Sequence, residues 1–304
     1  MPLIPIDNDD IAAERALRAE FGRFWLTEQG DPRSVYDRFI DGTPIAGDVT
    51  MQHVTDDSAP GVWVRPADAA PDRALLFLHG GGYGVGSAPA YIGLVSQIAA
   101  RAHASAFALD YPLAPESQLP EALDLAVRTL DRICSSHAAV AIAGDSAGGG
   151  LALSTAARAL REGLKVAAVA TFSPWTDLSL SGASVRKHQI IDPLLDPAYL
   201  RDSAAAYLGC ADPEDPRASP LFGAMNGLPP LLIQVGSDEI LLDDSRRFAL
   251  AAVNAGGTVR LEVWEGMHHV FQLNLEQLVS ARRALDSAGE FLSRHLDDWV
   301  NLLH

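Results

Sequence analysis

The chain has 304 residues, 48% of them hydrophobic, with a formal net charge of −16 and a sequence pI near 4.8. That acidic balance argues against nucleic acid or an anionic membrane surface as a partner, and favours uncharged or cationic small molecules. No apolar run approaches the ~20 residues that span a bilayer, and residues 1–10 lack a basic segment followed by an apolar one, so a cytoplasmic protein without membrane anchor or signal peptide is expected.

In chain order, residues 1 to about 45 read as a helix around 11–20 followed by irregular chain. From there strand patterns at 48–54, 62–65, 73–78, 105–109, 138–143, 166–172, 231–235 and 259–264 alternate with helix patterns at 88–101, 120–135, 147–162, 241–255 and 275–296. In the last helix Leu278, Ala281, Leu285, Ala288 and Leu292 recur three or four apart and form an apolar face for core packing. This alternation predicts an α/β fold, a mainly parallel eight-stranded sheet with helices on both faces. The length then suits one large core with additions. Two segments fall outside the alternation, residues 1–45 and about 177–218; the second carries a helix near 197–208 and the stretch Asp212-Pro-Glu-Asp-Pro216. Cys134 and Cys210 read as free thiols, and no disulfide is expected.

Chemistry is concentrated where strands end. Gly144-Asp-Ser-Ala-Gly148 stands between a short apolar run and a stretch of helix formers. A G-x-S-x-G at such a junction is a nucleophile elbow, which lifts Ser146 Oγ clear of the sheet on a strained turn. The run Ala74-Leu-Leu-Phe-Leu78 ends in His79-Gly80-Gly81-Gly82-Tyr83. Successive glycines let backbone N–H groups point into a pocket, where they can stabilise a tetrahedral oxyanion. Phosphate binding by this loop is disfavoured, since no G-K-[ST] follows and the spacing fits no dinucleotide fingerprint.

A nucleophile of this kind needs an acid and a histidine further along the chain. After the strand pattern 231–235 come Asp238 and Glu239, both placed to orient an imidazole, and periodicity cannot separate them. Asp243 and Asp244 read as early residues of the next helix, near its positive dipole end. After the strand pattern 259–264 come His268 and His269, which the chain alone also leaves equivalent. A metal site at this pair is not expected, because no third ligand has suitable spacing.

His79-Gly-Gly-Gly82, Asp110-Tyr-Pro-Leu-Ala-Pro-Glu116 and Gly144-Asp-Ser-Ala-Gly-Gly149 together resemble the hormone-sensitive-lipase-like (bacterial family IV) esterases of the α/β-hydrolase superfamily. The resemblance runs from about residue 45 to the end of the chain. One departure is Pro112, where that family usually has Arg, and it reads as a local structural change. The resemblance implies an α/β-hydrolase catalytic domain over 46–304 with a small helical cap, built from residues 1–45 and an insertion at about 177–218. It implies Ser146, Glu239 and His269 as triad, because the family's acidic run and its G-M-x-H pattern fall on Glu239 and His269. It assigns the oxyanion hole to the N–H groups of Gly81, Gly82 and Ala147. His268 then takes the variable position, lining the pocket or lying in the loop as an ordinary histidine.

The activity implied is that of a serine carboxylesterase acting through an acyl-enzyme, with no cofactor and no metal. The compact, Ala-rich cap helix lacks the basic face of a membrane-surface lid, which favours acyl chains of roughly two to eight carbons. A lactonase or amidase would use the same triad, whereas a non-catalytic binding protein of this fold would lack one of its members. The expected partner is a small-molecule ester, with neither nucleic acid nor membrane, and a homodimer is admissible.

Overall fold

Because most strands of this chain are buried on both faces, they read as continuous apolar runs rather than alternating ones. The computed structural model describes residues 3–56, 58–186, 190 and 192–302. The chain begins with β1 (Leu3–Ile4), α1 (Asn8–Thr27) and α2 (Pro32–Ile40). Asp7 and Asp31 accept N–H bonds at the starts of the two helices, and Pro32 occupies the first turn of the second. There follow β2 (Val49–Val54), β3 (Gly61–Pro66), β4 (Ala70–Leu78), α3 (Ile92–Ala102), β5 (Ala104–Leu109), α4 (Glu121–Cys134), β6 (Ala139–Asp145) and α5 (Ser146–Glu162). The remainder comprises β7 (Val169–Phe172), α6 (Ala183–Arg186), α7 (Pro197–Leu208), β8 (Leu231–Gly236), α8 (Leu242–Asn254), β9 (Val259–Trp264) and α9 (Val279–Asn301).

The strands form one sheet in the order β1-β9-β8-β7-β6-β4-β5-β3-β2. Among the described residues only the β5–β3 and β3–β2 pairs are antiparallel. Side chains alternate between two cores. Leu76, Leu78, Val140 and Ile142 face the helices α4, α5 and α8, whereas Leu75, Phe77, Ala141 and Ala143 face α3 and α9. The central strands β4, β6, β7 and β8 end side by side, which brings the loops after residues 78, 145, 172 and 236 to one rim.

Three differences from the sequence reading have physical causes. Among the described residues the sheet has nine strands, because Leu3–Ile4 adds in parallel to Val263–Trp264 at its edge. The third helix begins at Ile92 instead of 88, since residues 88–91 form a turn in which Ser87 Oγ accepts the Ala90 N–H. The last helix begins at Val279, after a 3₁₀ turn at Phe271–Asn274. No residue of its own caps that start; Asp10 of α1 does, accepting from Val279 N at 2.7 Å and Ser280 N at 2.8 Å. Among the described residues no helix is long and apolar enough to cross a membrane.

Candidate active site

At the end of β6 the chain turns directly into α5, and Ser146 takes a left-handed conformation with φ of 51°. That turn presses the backbone against the neighbouring strand. A Cβ on Gly148 would lie 2.1 Å from Leu78 O, and one on Gly144 would lie 2.4 Å from Gly148 O, so only glycine fits at either place. Ser146 is thereby pinned at the rim, and its carbonyl accepts the Trp175 N–H at 2.9 Å.

His269 follows β9, and its Nε2 lies 2.9 Å from Ser146 Oγ. Its Nδ1 lies 2.7 Å from Glu239 Oε2. Glu239 is fully buried after β8, and its second oxygen, Oε1, accepts from Ser173 Oγ and Gly236 N, both at 2.7 Å. Burial disfavours a charged imidazole, but the attraction of Glu239, its hydrogen bond, and the carboxylates of Asp192 and Asp145 outweigh it, so the His269 pKa is raised above the ordinary 6.5.

The structure separates the two pairs that sequence left equivalent. Asp238 turns away from His269 to form an ion pair with Arg18 at 3.1 Å. His268 is buried outside the cavity that Ser146 and His269 line, with Nδ1 at 2.8 Å from Glu14 and Nε2 at 3.0 Å from Asn274 Oδ1. It packs edge-on against Phe21 of α1, so it ties the histidine loop to the N-terminal helix.

The glycine loop after β4 lies opposite. Gly81 has φ of 111°, and a Cβ there would sit 2.1 Å from Val85 O. Gly81 and Gly82 line the cavity beside Ser146 and His269; Ala147, buried behind Ser146, has no lining side chain. Among the described residues neither the Gly81 nor the Gly82 N–H is taken by a backbone carbonyl. The Asp110–Glu116 segment buttresses this loop. Tyr111 stacks on His79 and donates to its carbonyl, and Ala114 N–H donates to Tyr83 O. Pro112 lies on a separate outer groove with Asp110 and Asp124 and does not line the cavity.

Residues that no motif announced complete the site. Ser173, itself at φ of 50°, donates to Glu239 and accepts the Val270 N–H at 3.1 Å, which joins acid and histidine loops. Asp145, the variable residue of the elbow, accepts from Gly80 N at 2.9 Å and from Tyr91 OH at 3.0 Å. Burial pushes its carboxyl up to about 7, against the hydrogen bonds that hold it ionised. The remaining wall comes from the segments outside the α/β alternation: Trp25, Tyr36 and Phe39 from α1 and α2, and Leu195, Tyr199 and Leu200 from and just before α7. They enclose about 380 Å³ of largely apolar space over Ser146. Helix α7 rests on the glycine loop, with Tyr207 stacked on Tyr83 at 3.8 Å between ring centres. Among the described residues no cluster of side chains is arranged to hold a metal ion.

The model of a family described by the α/β-hydrolase fold matches residues 75–273. An acetyl-hydrolase of Streptomyces hygroscopicus is 43% identical over 283 residues, covering 88% of this chain and 92% of its own. An esterase of Acinetobacter venetianus is 36% identical over 230 residues, covering 74% of this chain and 76% of its own. The crystal structure of an esterase from the bacterial hormone-sensitive lipase family superposes with a TM-score of 0.89 at 32% identity, over 94% of this chain and 98% of that one. Fold, motifs and relatives agree, and the chain belongs to the hormone-sensitive-lipase family of the α/β-hydrolase fold.

Proposed function

We propose that the chain is a serine carboxylesterase that hydrolyses short- to medium-chain acyl esters, with Ser146, His269 and Glu239 as its triad. The observation that carries this reading is the unbroken hydrogen-bonded line from Ser146 Oγ through His269 to the buried Glu239. His269 Nε2 takes the Ser146 proton as Oγ attacks the ester carbonyl, and Glu239 holds Nδ1–H and stabilises the imidazolium that forms. Negative charge building on the carbonyl oxygen is received by the N–H groups of Gly81, Gly82 and Ala147. His269 then gives its proton to the departing alcohol, and in the second half activates water against the acyl-enzyme. Ser173 and Asp192 are positioning residues; the latter fixes the 192–195 turn and accepts the Ile240 N–H beside Glu239.

In this reading α1, α2 and the 177–218 insertion act as the cap, and the space they leave sets acyl length. A cavity of about 380 Å³ lies at the small end of ligand sites, which suits chains of roughly two to eight carbons. The unpaired Cys134 and Cys210 suit a reducing compartment, in keeping with a cytoplasmic enzyme. A panel of nitrophenyl esters from acetate to long acyl chains, run beside Ser146→Ala, tests the proposal. Short esters are expected to give the highest kcat/KM, and Ser146→Ala to lower kcat by about 10⁴–10⁶. A folded Ser146→Ala protein of near-normal activity overturns the triad; a profile rising to acyl chains of about twelve carbons overturns the small-pocket reading.

A further inference from the structure

A chain of three acidic hydroxyl and carboxyl groups leads from the oxyanion loop to the cavity wall. Asp145 Oδ2 accepts from Tyr91 OH at 3.0 Å, and Tyr91 OH lies 2.9 Å from Tyr36 OH. A phenol carries one proton. Tyr91 spends its proton on Asp145, so in the Tyr36–Tyr91 contact Tyr36 must be the donor. The direction of both bonds follows from the carboxylate at the end of the line. Tyr36 thus faces the cavity it shares with Ser146 with its proton turned inward and oxygen lone pairs left over. Two of the groups that act on it by charge, Asp145 and Asp37, are carboxylates, which when ionised make its surroundings favourable to a partial positive charge.

We propose that Tyr36 is a specificity residue of the cavity, an acceptor fixed by the Tyr91–Asp145 chain that selects esters carrying a hydroxyl or N–H donor. This rests on the esterase reading above for its substrate, but not for its binding chemistry. A methyl group at the donor's position leaves the Tyr36 oxygen unpaired, and a methoxy group sets lone pair against lone pair. Both lose the hydrogen bond that a hydroxyl makes, worth about three- to tenfold in affinity. The polarity of the line depends on an ionised Asp145, so selection is strongest above its pKa of about 7. The titratable groups facing that carboxylate are Tyr91, Tyr36, Tyr111 and His269. At about pH 8.5 the three phenols keep their protons, because burial raises each well above its ordinary value.

The test uses pairs that differ only in hydroxyl against methyl: ethyl lactate with ethyl isobutyrate, ethyl β-hydroxybutyrate with ethyl isovalerate, and glycol monoacetate with propyl acetate. For each pair kcat/KM is measured at about pH 8.5 in the wild type and in Tyr36→Phe, and Kd is measured with the same changes in a Ser146→Ala protein. The hydroxyl-to-methyl ratio in the wild type, divided by that in Tyr36→Phe, cancels intrinsic ester reactivity. It is expected to be about three- to tenfold in at least one pair. A quotient of one in every pair, in both kcat/KM and Kd, overturns the proposal. If no ester turns over in the wild type, the esterase reading falls and the Kd quotient alone decides this one. Tyr91→Phe is the second variant: it frees the Tyr36 proton to donate into the cavity, so acceptor-only methoxy analogues gain a partner and the hydroxyl-to-methoxy ratio in the wild type, divided by that in Tyr91→Phe, is above one. An unchanged hydroxyl-over-methoxy preference in Tyr91→Phe would falsify the fixed-acceptor argument even if Tyr36→Phe does not fold.

Discussion

Replacing Glu239 with Gln changes one oxygen to an NH₂ group, and the surroundings dictate which one. Glu239 Oε1 accepts two protons, from Ser173 Oγ and Gly236 N, each at 2.7 Å in a fully buried site. An NH₂ group there would set donor against donor at the Gly236 N–H and force the Ser173 hydroxyl to give up its donor role, so the Gln carbonyl keeps that place and the NH₂ faces His269. The imidazole must then accept at Nδ1 and carry its proton on Nε2, pointing at Ser146 Oγ. A histidine in that tautomer cannot take the serine proton, and the same reversal in a Ser-His-Asp protease costs about 10⁴ in kcat. At 1.36 kcal/mol per decade this is about 5.4 kcal/mol of barrier. The assay is kcat on a nitrophenyl acetate or butyrate ester at a pH where the wild type has reached its plateau, with Tm as the check on folding. Asp238→Asn serves as the control, because that carboxylate is 44% exposed and paired with Arg18, and it should stay within about twofold. A Glu239→Gln enzyme within tenfold of the wild type, or Asp238→Asn as the more damaging change, would refute the tautomer argument.

His269→Ala should lose as much activity as Ser146→Ala, about 10⁴–10⁶ in kcat. His268→Ala should keep most of its kcat while losing about 2–4 kcal/mol of stability in urea unfolding, since it empties a buried position that bonds Glu14 and Asn274. Glu239, chiefly, raises the His269 pKa against the opposing effect of burial, so kcat/KM should fall as pH drops through a value above 6.5; a flat profile down to about pH 5 would exclude His269 as base. Burial lifts the Asp244 carboxyl from 3.8 to about 8. Between those values the folded state holds a proton that the unfolded state releases, so this group's contribution to stability declines as pH rises, by up to about 1.4 kcal/mol per unit. Asp244→Asn should flatten the dependence of the urea midpoint on pH across that window.

What could be read in advance was whatever the backbone itself demands. Gly144 and Gly148 have no room for a Cβ, and Gly81 has neither room nor an ordinary φ, so the elbow and the glycine loop leave a mark at fixed spacing. The helix starting near residue 242, with Asp243 and Asp244 in its first turn, was equally legible. Asp238 against Glu239, and His268 against His269, were not separable by residue type, because each pair offers the same chemistry one position apart. Only the three-dimensional partners, Arg18 for Asp238 and Glu14 for His268, distinguish the members of each pair. Ser173 carried no signal, being a lone serine after a strand. The two-residue strand Leu3–Ile4 is too short to show a period. Asp10 capping α9 was invisible for a different reason: a cap is normally sought next to its helix, and this one lies 269 positions away.

That long reach has a consequence for how the molecule is made. Glu14 meets His268 across 254 positions, Arg18 meets Asp238 across 220, and Asp10 meets Val279 across 269. At synthesis rates of about 5–20 residues per second, the first helix leaves the ribosome some 10–50 seconds before these partners exist. During that interval Phe21, which the finished fold buries, has no core to enter, and Trp25 and Phe39 have no cavity to line. Helix α1 can therefore complete its contacts only once the chain as far as Ser280 has been made, and the part of the cavity wall that it supplies closes no earlier. Any change that weakens the Asp10, Glu14 or Arg18 contacts should act first on the yield of folded protein during expression, before it is felt in the properties of the molecules that mature.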